Sequence, residues 1–354
     1  MMNWTNDIIH LDGFGGAAGF WLALSRAGFN IKKHYYSEID KHAIAVAKYQ
    51  DKHLINVGAI ENVCKAGIER PDIFTFGSPC QGFSSIGKGE GLDHAGSVLV
   101  KEAINIITHY RPSVFIWENV KGVITKKHRE DFWAVLQAFA NIGGYRLEFQ
   151  LLNTVWFLPQ NRERIFVVGH LDGFSRPKIF PIGESNTGID QESRETGPRL
   201  DGVSRCLSAH GTSRLDYETD TFIRMVDKVQ DSPQIKISSA TKAGYELAEH
   251  GDGIRLDHIS NIERGNSTGK GRVLDKKAHT LDTTANAGVL LNDKIRRLTE
   301  TEYELLQGFP TDWTKLGDYG GVIKEVSSFQ RYRMMGNAIS IDPVEEIAKR
   351  LKAV

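Results

Sequence analysis

The sequence predicts an α/β fold, a mostly parallel sheet with helices on both faces, followed by a smaller irregular domain. Three observations predict it. Short apolar runs alternate with amphipathic stretches from Asp7 to about His170. That rhythm is lost after about Gly183, where Ser, Thr, Gly and Asp become frequent through to roughly Gly288. At 354 residues the chain also exceeds a typical single domain, which runs to roughly 100 to 150 residues.

The expected strands of the first domain are Ile8 to Leu11, His34 to Ser37, Asp72 to Phe76, Ser113 to Trp117, Arg146 to Leu152 and Arg164 to Val168. Each is a short apolar run bounded by turn formers. Between them, apolar spacing places helices at Ala17 to Ala27, Lys41 to Gln50, Ser97 to His109 and Arg129 to Asn141. In the irregular stretch only broken strand-like runs such as Gln234 to Ile237 appear. Helical spacing returns at Leu298 to Leu306 and Val344 to Leu351. The aromatics Trp133, Phe139 and Phe149 read as core, and Cys64 and Cys206 as structural.

Composition narrows the function classes. Hydrophobic residues make up 40% and charged residues 25%, and no signal peptide or long apolar run is present, so a soluble, cytoplasmic protein is expected. Three scattered cysteines, and histidines without paired spacing, suit neither a disulfide framework nor a metal site, and no metal is expected. Forty-four basic residues balance forty-four acidic ones. Net charge therefore carries no nucleic-acid footprint, and a DNA-binding face would have to be a local patch.

In an open parallel sheet, ligands bind beyond the carboxyl ends of the strands. The residues there are Asp12, Glu38, Gly77 to Cys80, and Glu118. The turn Asp12-Gly13-Phe14-Gly15-Gly16-Ala17-Ala18-Gly19-Phe20 lets backbone approach a ligand at a helix N-terminus; a structural tight turn or a dinucleotide-binding loop would look alike. Glu38 ends the second strand, where a carboxylate can accept from ribose hydroxyls; taken alone it reads equally as a solvated loop carboxylate. Cys80, flanked by Gly77-Ser78-Pro79 and Gln81-Gly82-Phe83-Ser84, reads as a loop thiol rather than a buried one. Glu118 follows the apolar run Val114 to Trp117, a setting in which a carboxyl can keep its proton and serve as a general acid. Arg162 and Arg164, at i and i+2, share one face if they lie on a strand and can grip an anion or a base edge together.

These blocks, in order, resemble the cytosine-5 DNA methyltransferase family: the Asp-x-Phe-x-Gly-x-x-Gly turn, Glu38, Pro79-Cys80-Gln81 with Phe83-Ser84, Glu118-Asn119-Val120, Gln160 with Arg162 and Arg164, Gln307-Gly308-Phe309-Pro310, and Gly336-Asn337. The resemblance covers nearly the whole chain apart from its irregular middle. It implies a Rossmann-like methyltransferase sheet with S-adenosylmethionine as cofactor. Cys80 would be the nucleophile, Glu118 with Asn119 would act at the base, and Arg162 and Arg164 would hold it. Cofactor contacts would come from Phe14, Gly16, Gly19, Glu38, Ile39, Ile60, Pro79, Val98 and Asn337. DNA contacts would come from Ser84 and Gln160, and from Arg264, Lys270 and Arg272 in the basic run Arg264 to Arg272; a solvated loop is the other reading of that run.

The resemblance further implies a division into 1–182 as catalytic and cofactor-binding domain, 183–324 as target-recognition domain including Gln307 to Pro310, and 325–354 as a segment returning to the first domain. Four positions depart from the pattern: Gly13 and Ala18 in the first turn, Ala59 where an aspartate is usual, and Ala95 where a loop arginine is common. Double-stranded DNA is the expected partner, in a restriction-modification or phage-protection setting with a cognate endonuclease, and the enzyme is expected to act as a monomer. Rival readings are a transfer-RNA cytosine methyltransferase on the same scaffold and a catalytically inactive DNA-binding relative. The long recognition segment weighs against the first, and the retained Cys80, Glu118 and arginine pair weigh against the second. A nicotinamide-dependent oxidoreductase would share only the Gly-rich turn.

Overall fold

The computed structural model describes residues 7–78, 95–126, 128–172, 178–183, 234–239, 241–256, 272–291 and 294–352, with backbone alone at 95–98. Its main element is a seven-stranded sheet in the order β3-β2-β1-β4-β5-β7-β6. The strands are β1 Ile8–Gly13, β2 Ile31–Ser37, β3 Leu54–Asn56, β4 Ile73–Phe76, β5 Val114–Val120, β6 Tyr145–Asn153 and β7 Glu163–Leu171. The first five run parallel, whereas β7 lies antiparallel to both β5 and β6. The order reverses at β1, so the crevice at the carboxyl ends of β1 and β4 is where a ligand is expected.

Strands β4 and β5 are mainly apolar because both faces are covered. On one side Phe74, Phe76, Phe115, Trp117 and Phe139 pack with helix α3 (Ala95–Tyr110) and helix α4 (Arg129–Asn141). On the other, Phe20 and Leu24 of α1 (Gly19–Arg26) meet Ile341, Val344, Ile347 and Leu351 of the C-terminal helix α7 (Ile341–Lys352). Those four residues recur at helical spacing, and all are essentially buried. The chain's end therefore packs on its beginning. Helix α2 (Lys41–Gln50) is capped by the Asp40 carboxylate, which accepts from the His42 and Ala43 amides.

Two expectations about packing need correcting. Trp133 and Phe149 are about half exposed (51% and 46%), and only Phe139 of the three aromatics is core. Trp133 and Phe149 meet edge to face at 6.4 Å on the outer side of α4 and the edge strand β6. The other concerns Gln307 to Pro310, which follows α5 (Glu300–Leu306) and packs with the first domain. Gln307 donates to the Met335 carbonyl and accepts from Ser340, Phe309 joins the α1–α7 core, and Trp313 donates to the Ala17 carbonyl. The reason is steric fit: a Cβ on Gly19 would lie 2.8 Å from Ile339 and 3.2 Å from Phe309, so only glycine there lets these segments close on α1.

The described part of the recognition segment is antiparallel. Strands β8 (Ile235–Ser238) and β9 (Tyr245–Ala248) form a hairpin, and β10 (Gly253–Arg255), β11 (Val273–Leu274), β12 (Ala287–Leu291) and β13 (Lys294–Arg297) form a four-stranded sheet. Ile237, Ala248, Ile254 and Leu290 make its small core. It is laced to the connection between β6 and β7 by backbone bonds between Ala278 and the Pro159 carbonyl and Asn161 amide. A further hairpin, β14 (Leu316–Asp318) with β15 (Ile323–Glu325), leads to α6 (Ser328–Asn337).

Candidate active site

A cavity of about 830 Å³ opens at the carboxyl ends of the parallel strands. Phe14, Gly16, Gly19, Glu38, Ile39, Ile60 and Asn337 line it together with Glu118, Asn119, Arg162 and Arg164. Residues separated by more than 300 positions thus share one space. Pro79, Cys80, Gln81, Ser84, Cys206, Arg264 and Lys270 lie outside the described residues, as does the side chain of Val98.

The first turn folds tightly onto β2. The Gly15 amide donates to the Ser37 carbonyl at 3.2 Å, the Gly16 amide to Glu38 Oε2 at 3.1 Å, and the Tyr36 hydroxyl to the Gly16 carbonyl. A Cβ on Gly15 would lie 2.3 Å from the Tyr36 ring, so glycine is required there by contact rather than by backbone angle. Ala18 adopts φ +60°, a left-handed conformation usually left to glycine. For alanine that geometry costs about 1–2 kcal/mol. At the other departure, a Cβ on Gly13 would lie 3.0 to 3.3 Å from Phe74, Ile60 and Phe76, which leaves little room for a larger residue.

Glu38 is held by its own loop. Its Oε1 accepts from the Ile39 and Asp40 amides at 2.7 and 2.9 Å, while Oε2 takes the Gly16 amide. A carboxylate fixed by three amides is oriented before any ligand arrives. Ile39 is 78% exposed at the mouth, and buried Ile60 forms part of the wall, so two apolar side chains border the same space. This combination fits an adenosyl group: a fixed acceptor for hydroxyls, apolar surfaces for a base, and a close-packed glycine turn.

At the other end, Glu118 lies inside β5 rather than after it, and Arg164 Nε approaches its Oε1 at 3.1 Å. The expected apolar setting of this carboxyl is therefore only part of its surroundings, since a guanidinium faces it. Arg162 precedes β7 and is almost fully buried. Its Nη2 donates to the Ala338 carbonyl at 2.6 Å, whereas Nε and Nη1 have no partner among the described residues. Burial first, and the Arg164 charge second, push its pKa down to about 9. The two arginines thus play unlike parts, Arg164 on the carboxylate and Arg162 on the backbone beside Asn337.

Asn119 turns its amide toward Ser78, donating to that residue's carbonyl at 3.2 Å and hydroxyl at 3.3 Å. Trp117 Nε1 also donates to the Ser78 hydroxyl, at 2.9 Å. Both side chains therefore anchor the chain two residues before Cys80, a positioning role that the sequence did not reveal.

Two expected DNA contacts sit differently. Arg272 is 1% exposed, and it donates to the Ser238 and Arg255 carbonyls. It braces the small domain because its strand neighbours offer carbonyls at the range of its fork, so the guanidinium is not presented to a phosphate. Gln160 is fully buried, with its backbone bridged to Ala278 and neither side-chain polar atom partnered among the described residues. Among the lining residues that the sequence does not single out, Arg333 pairs with Asp40 at 3.0 Å across the cavity mouth. It stands four residues before Asn337 on α6, and the signal was one helical turn of spacing in a helix the apolar pattern did not predict.

Comparison with known proteins agrees with this geometry. The chain is 26% identical over 282 residues to the orphan methyltransferase M.SPRI of Bacillus phage SPR, covering 78% of this chain and 63% of that protein. It is 27% identical over 354 residues to the type II methyltransferase M.HpaII of Haemophilus parainfluenzae, covering 96% and 88% of the two. Among solved structures, S. pombe Dnmt2 methyltransferase superposes with a TM-score of 0.60 at 16% identity, over 97% of this chain and 98% of that one, a likeness of fold. No helix among the described residues is long and apolar enough to cross a membrane. The model of the C-5 cytosine-specific DNA methylases matches residues 9–353, and the chain belongs to that family.

Proposed function

We propose that this chain transfers a methyl group from S-adenosylmethionine to carbon 5 of a cytosine flipped out of a specific duplex DNA sequence. The observation that carries this reading is the single cavity in which the Gly-rich turn and Glu38 face Glu118, Arg162 and Arg164. When bound, S-adenosylmethionine supplies an electrophilic methyl group. Phe14, Gly16, Gly19, Glu38, Ile39, Ile60 and Asn337 would hold it, with Pro79 and Val98 completing the site.

Cytosine carbon 5 is too poor a nucleophile to take a methyl group unaided. The Cys80 thiolate would add to carbon 6, making carbon 5 enamine-like while Glu118 engages ring nitrogen 3. Arg164, held on Glu118, fixes that carboxylate and balances charge developing on the base. After transfer, carbon 5 gives its proton to a water molecule, the C–H electron pair forms the carbon 5–carbon 6 double bond, and the carbon–sulfur bond breaks to release the Cys80 thiolate. A stacked base is out of reach for such an attack, so the cytosine must leave the helix.

The setting would be a restriction-modification system or protection of phage DNA, with the enzyme acting as a monomer and a cognate endonuclease as a genetic partner. Bisulfite sequencing of DNA treated with the purified chain and S-adenosylmethionine tests the reaction and reads the recognition site together. A Cys80→Ser chain should lose methylation and form no adduct with a 5-fluorocytosine duplex. Methylation of transfer RNA but not of DNA would overturn the substrate reading, and near-normal turnover by Cys80→Ser would overturn the nucleophile.

A further inference from the structure

Beneath the cofactor turn lies a buried polar seam that the chemistry above does not use. On the face of the sheet covered by α1 and α2, β1 contributes His10 and Asp12, β2 contributes His34 and Tyr36, and β4 contributes Thr75, all essentially inaccessible. His34 stands at the centre. Its Nδ1 lies 2.9 Å from Asp51 Oδ2, and its Nε2 lies 3.9 Å from Asp12 Oδ2. Among the described residues, neither Asp12 Oδ2 nor His34 Nε2 has a hydrogen-bond partner. So costly an arrangement persists only where something over-determines it or uses it.

What rests on this seam is the turn itself. A Cβ on Gly15 would lie 2.3 Å from the Tyr36 ring and 3.1 Å from Asp12 Cγ, so the turn sits directly on those two side chains. His34 supports both, meeting Tyr36 edge to face at 5.9 Å and facing Asp12 through Nε2. Tyr36 in turn donates to the Gly16 carbonyl.

We propose that His34 is a positioning residue for the cofactor: its imidazolium, held between Asp51 and Asp12, fixes the floor on which the Gly15–Gly16 turn rests. The inference rests on the reading of that turn as the S-adenosylmethionine site. With Nδ1–H directed to Asp51, loss of a proton leaves the Nε2 lone pair facing the Asp12 carboxyl. A contact that attracts then repels, in a place where water cannot compensate.

Other groups face His34 from each packed element. His10 on β1 stacks on it at 5.2 Å and donates to or accepts from Thr75 at 2.8 Å, and Trp21 on α1 stacks at 6.0 Å. Asp51, at the end of α2, also accepts from the His53 amide at 2.9 Å. The Asp12 and Asp51 carboxylates outweigh burial and raise the His34 pKa from its ordinary value, while burial and the neighbouring His34 charge hold His10 well below it. The two histidines are therefore biased in opposite senses, His34 toward its charged form and His10 toward its neutral one.

The test is calorimetric binding of S-adenosylhomocysteine by the full chain from pH 6.5 to 8.5, comparing unaltered and His34→Gln proteins so that the ligand's own ionisation cancels. Glutamine can donate to Asp51 but carries no charge. The unaltered chain should lose affinity about fivefold or more across this range, and His34→Gln should be weaker by a similar factor at pH 6.5 and nearly flat with pH. A folded His34→Gln protein with affinity within about twofold of the unaltered chain, and the same pH profile, would overturn the inference. Should His34→Gln fail to fold, Asp51→Asn supplies the second reading: its loss of affinity should begin at lower pH, and an unshifted profile refutes the role. Failure of the unaltered chain to bind at any pH overturns the cofactor reading and the inference with it, an outcome distinct from either variant result.

Discussion

Replacing Gly15 by alanine isolates a steric demand from every other feature of the cofactor turn. No left-handed backbone angle is involved, so the added methyl group acts only through contact. It would stand 2.3 and 2.5 Å from two atoms of the Tyr36 ring. Ordinary carbon contacts lie at about 3.5 Å, so ring or turn must give by about 1.2 Å. Tyr36 is fully buried and packed edge-on against His34, so the turn is the part that moves. Overpacking of this kind costs about 1–3 kcal/mol. Losing the Tyr36 hydroxyl bond to Gly16 adds about 1 kcal/mol. If that whole sum falls on the bound state, the dissociation constant for S-adenosylhomocysteine rises roughly 30- to 1000-fold. Isothermal calorimetry reads this directly, with Gly122→Ala as comparison, because a Cβ there meets only Val120 at an ordinary 3.5 Å. A Gly15→Ala chain that binds within about threefold of the unaltered protein, with an unchanged melting temperature, would refute the claim that the turn rests on Tyr36.

Other changes separate the parts of the site. Glu118→Gln keeps the side-chain shape but removes the charge facing Arg164, and should cut methyl transfer about 100-fold or more while leaving cofactor affinity nearly unchanged; labelled-methyl incorporation and calorimetry together check this, and an equal loss of affinity would reassign Glu118 to cofactor binding. Arg272→Met removes the guanidinium bonds to the Ser238 and Arg255 carbonyls, and should lower the stability of the segment from β8 to β13 by about 2–3 kcal/mol in urea. It should leave the salt dependence of DNA binding unaltered, whereas a slope reduced by about one would restore Arg272 as a phosphate contact. His10 is held neutral by burial, so the unfolded chain alone takes up its proton as pH falls below about 6.5, and stability should drop there. His34 acts in the opposite sense: its folded-state pKa is raised, so its contribution is present below about 6.5 and is lost as pH rises through the folded value. Urea midpoints at pH 5 and 7.5 should therefore converge in His10→Gln relative to the unaltered chain; an unchanged difference would show that His10 does not drive the acid loss.

The sheet was legible because its strands are covered on both faces, which leaves a run such as Val114 to Trp117 apolar without interruption. The cavity was legible for a related reason. Functional groups in such a sheet sit at strand ends, so Glu38 and Glu118 could be placed near one another with no distance in hand. What sequence could not reveal is how polar side chains spend their hydrogen bonds. Arg272 belongs to a run that reads as a basic loop, yet its fork meets two carbonyls 17 and 34 positions earlier in the chain, a pairing that exists only once the strands are in register. Asn119 reads as part of a reactive block, yet its amide is engaged by Ser78. Trp133 and Phe149 fail in the opposite way: their apolar character suggests core, but they meet each other on the outer side of α4 and of the edge strand β6, where both stay about half exposed. Glycine was the more reliable witness, because a missing Cβ records a contact with something else. At Gly336 that contact is the Asp282–Thr283 backbone, at 2.4 to 2.6 Å from where a Cβ would be. The segment carrying Asp282 and Thr283 thus packs directly on the helix that brings Asn337 to the cavity wall, a contact between parts of the chain more than 50 residues apart that only the missing Cβ of Gly336 permits.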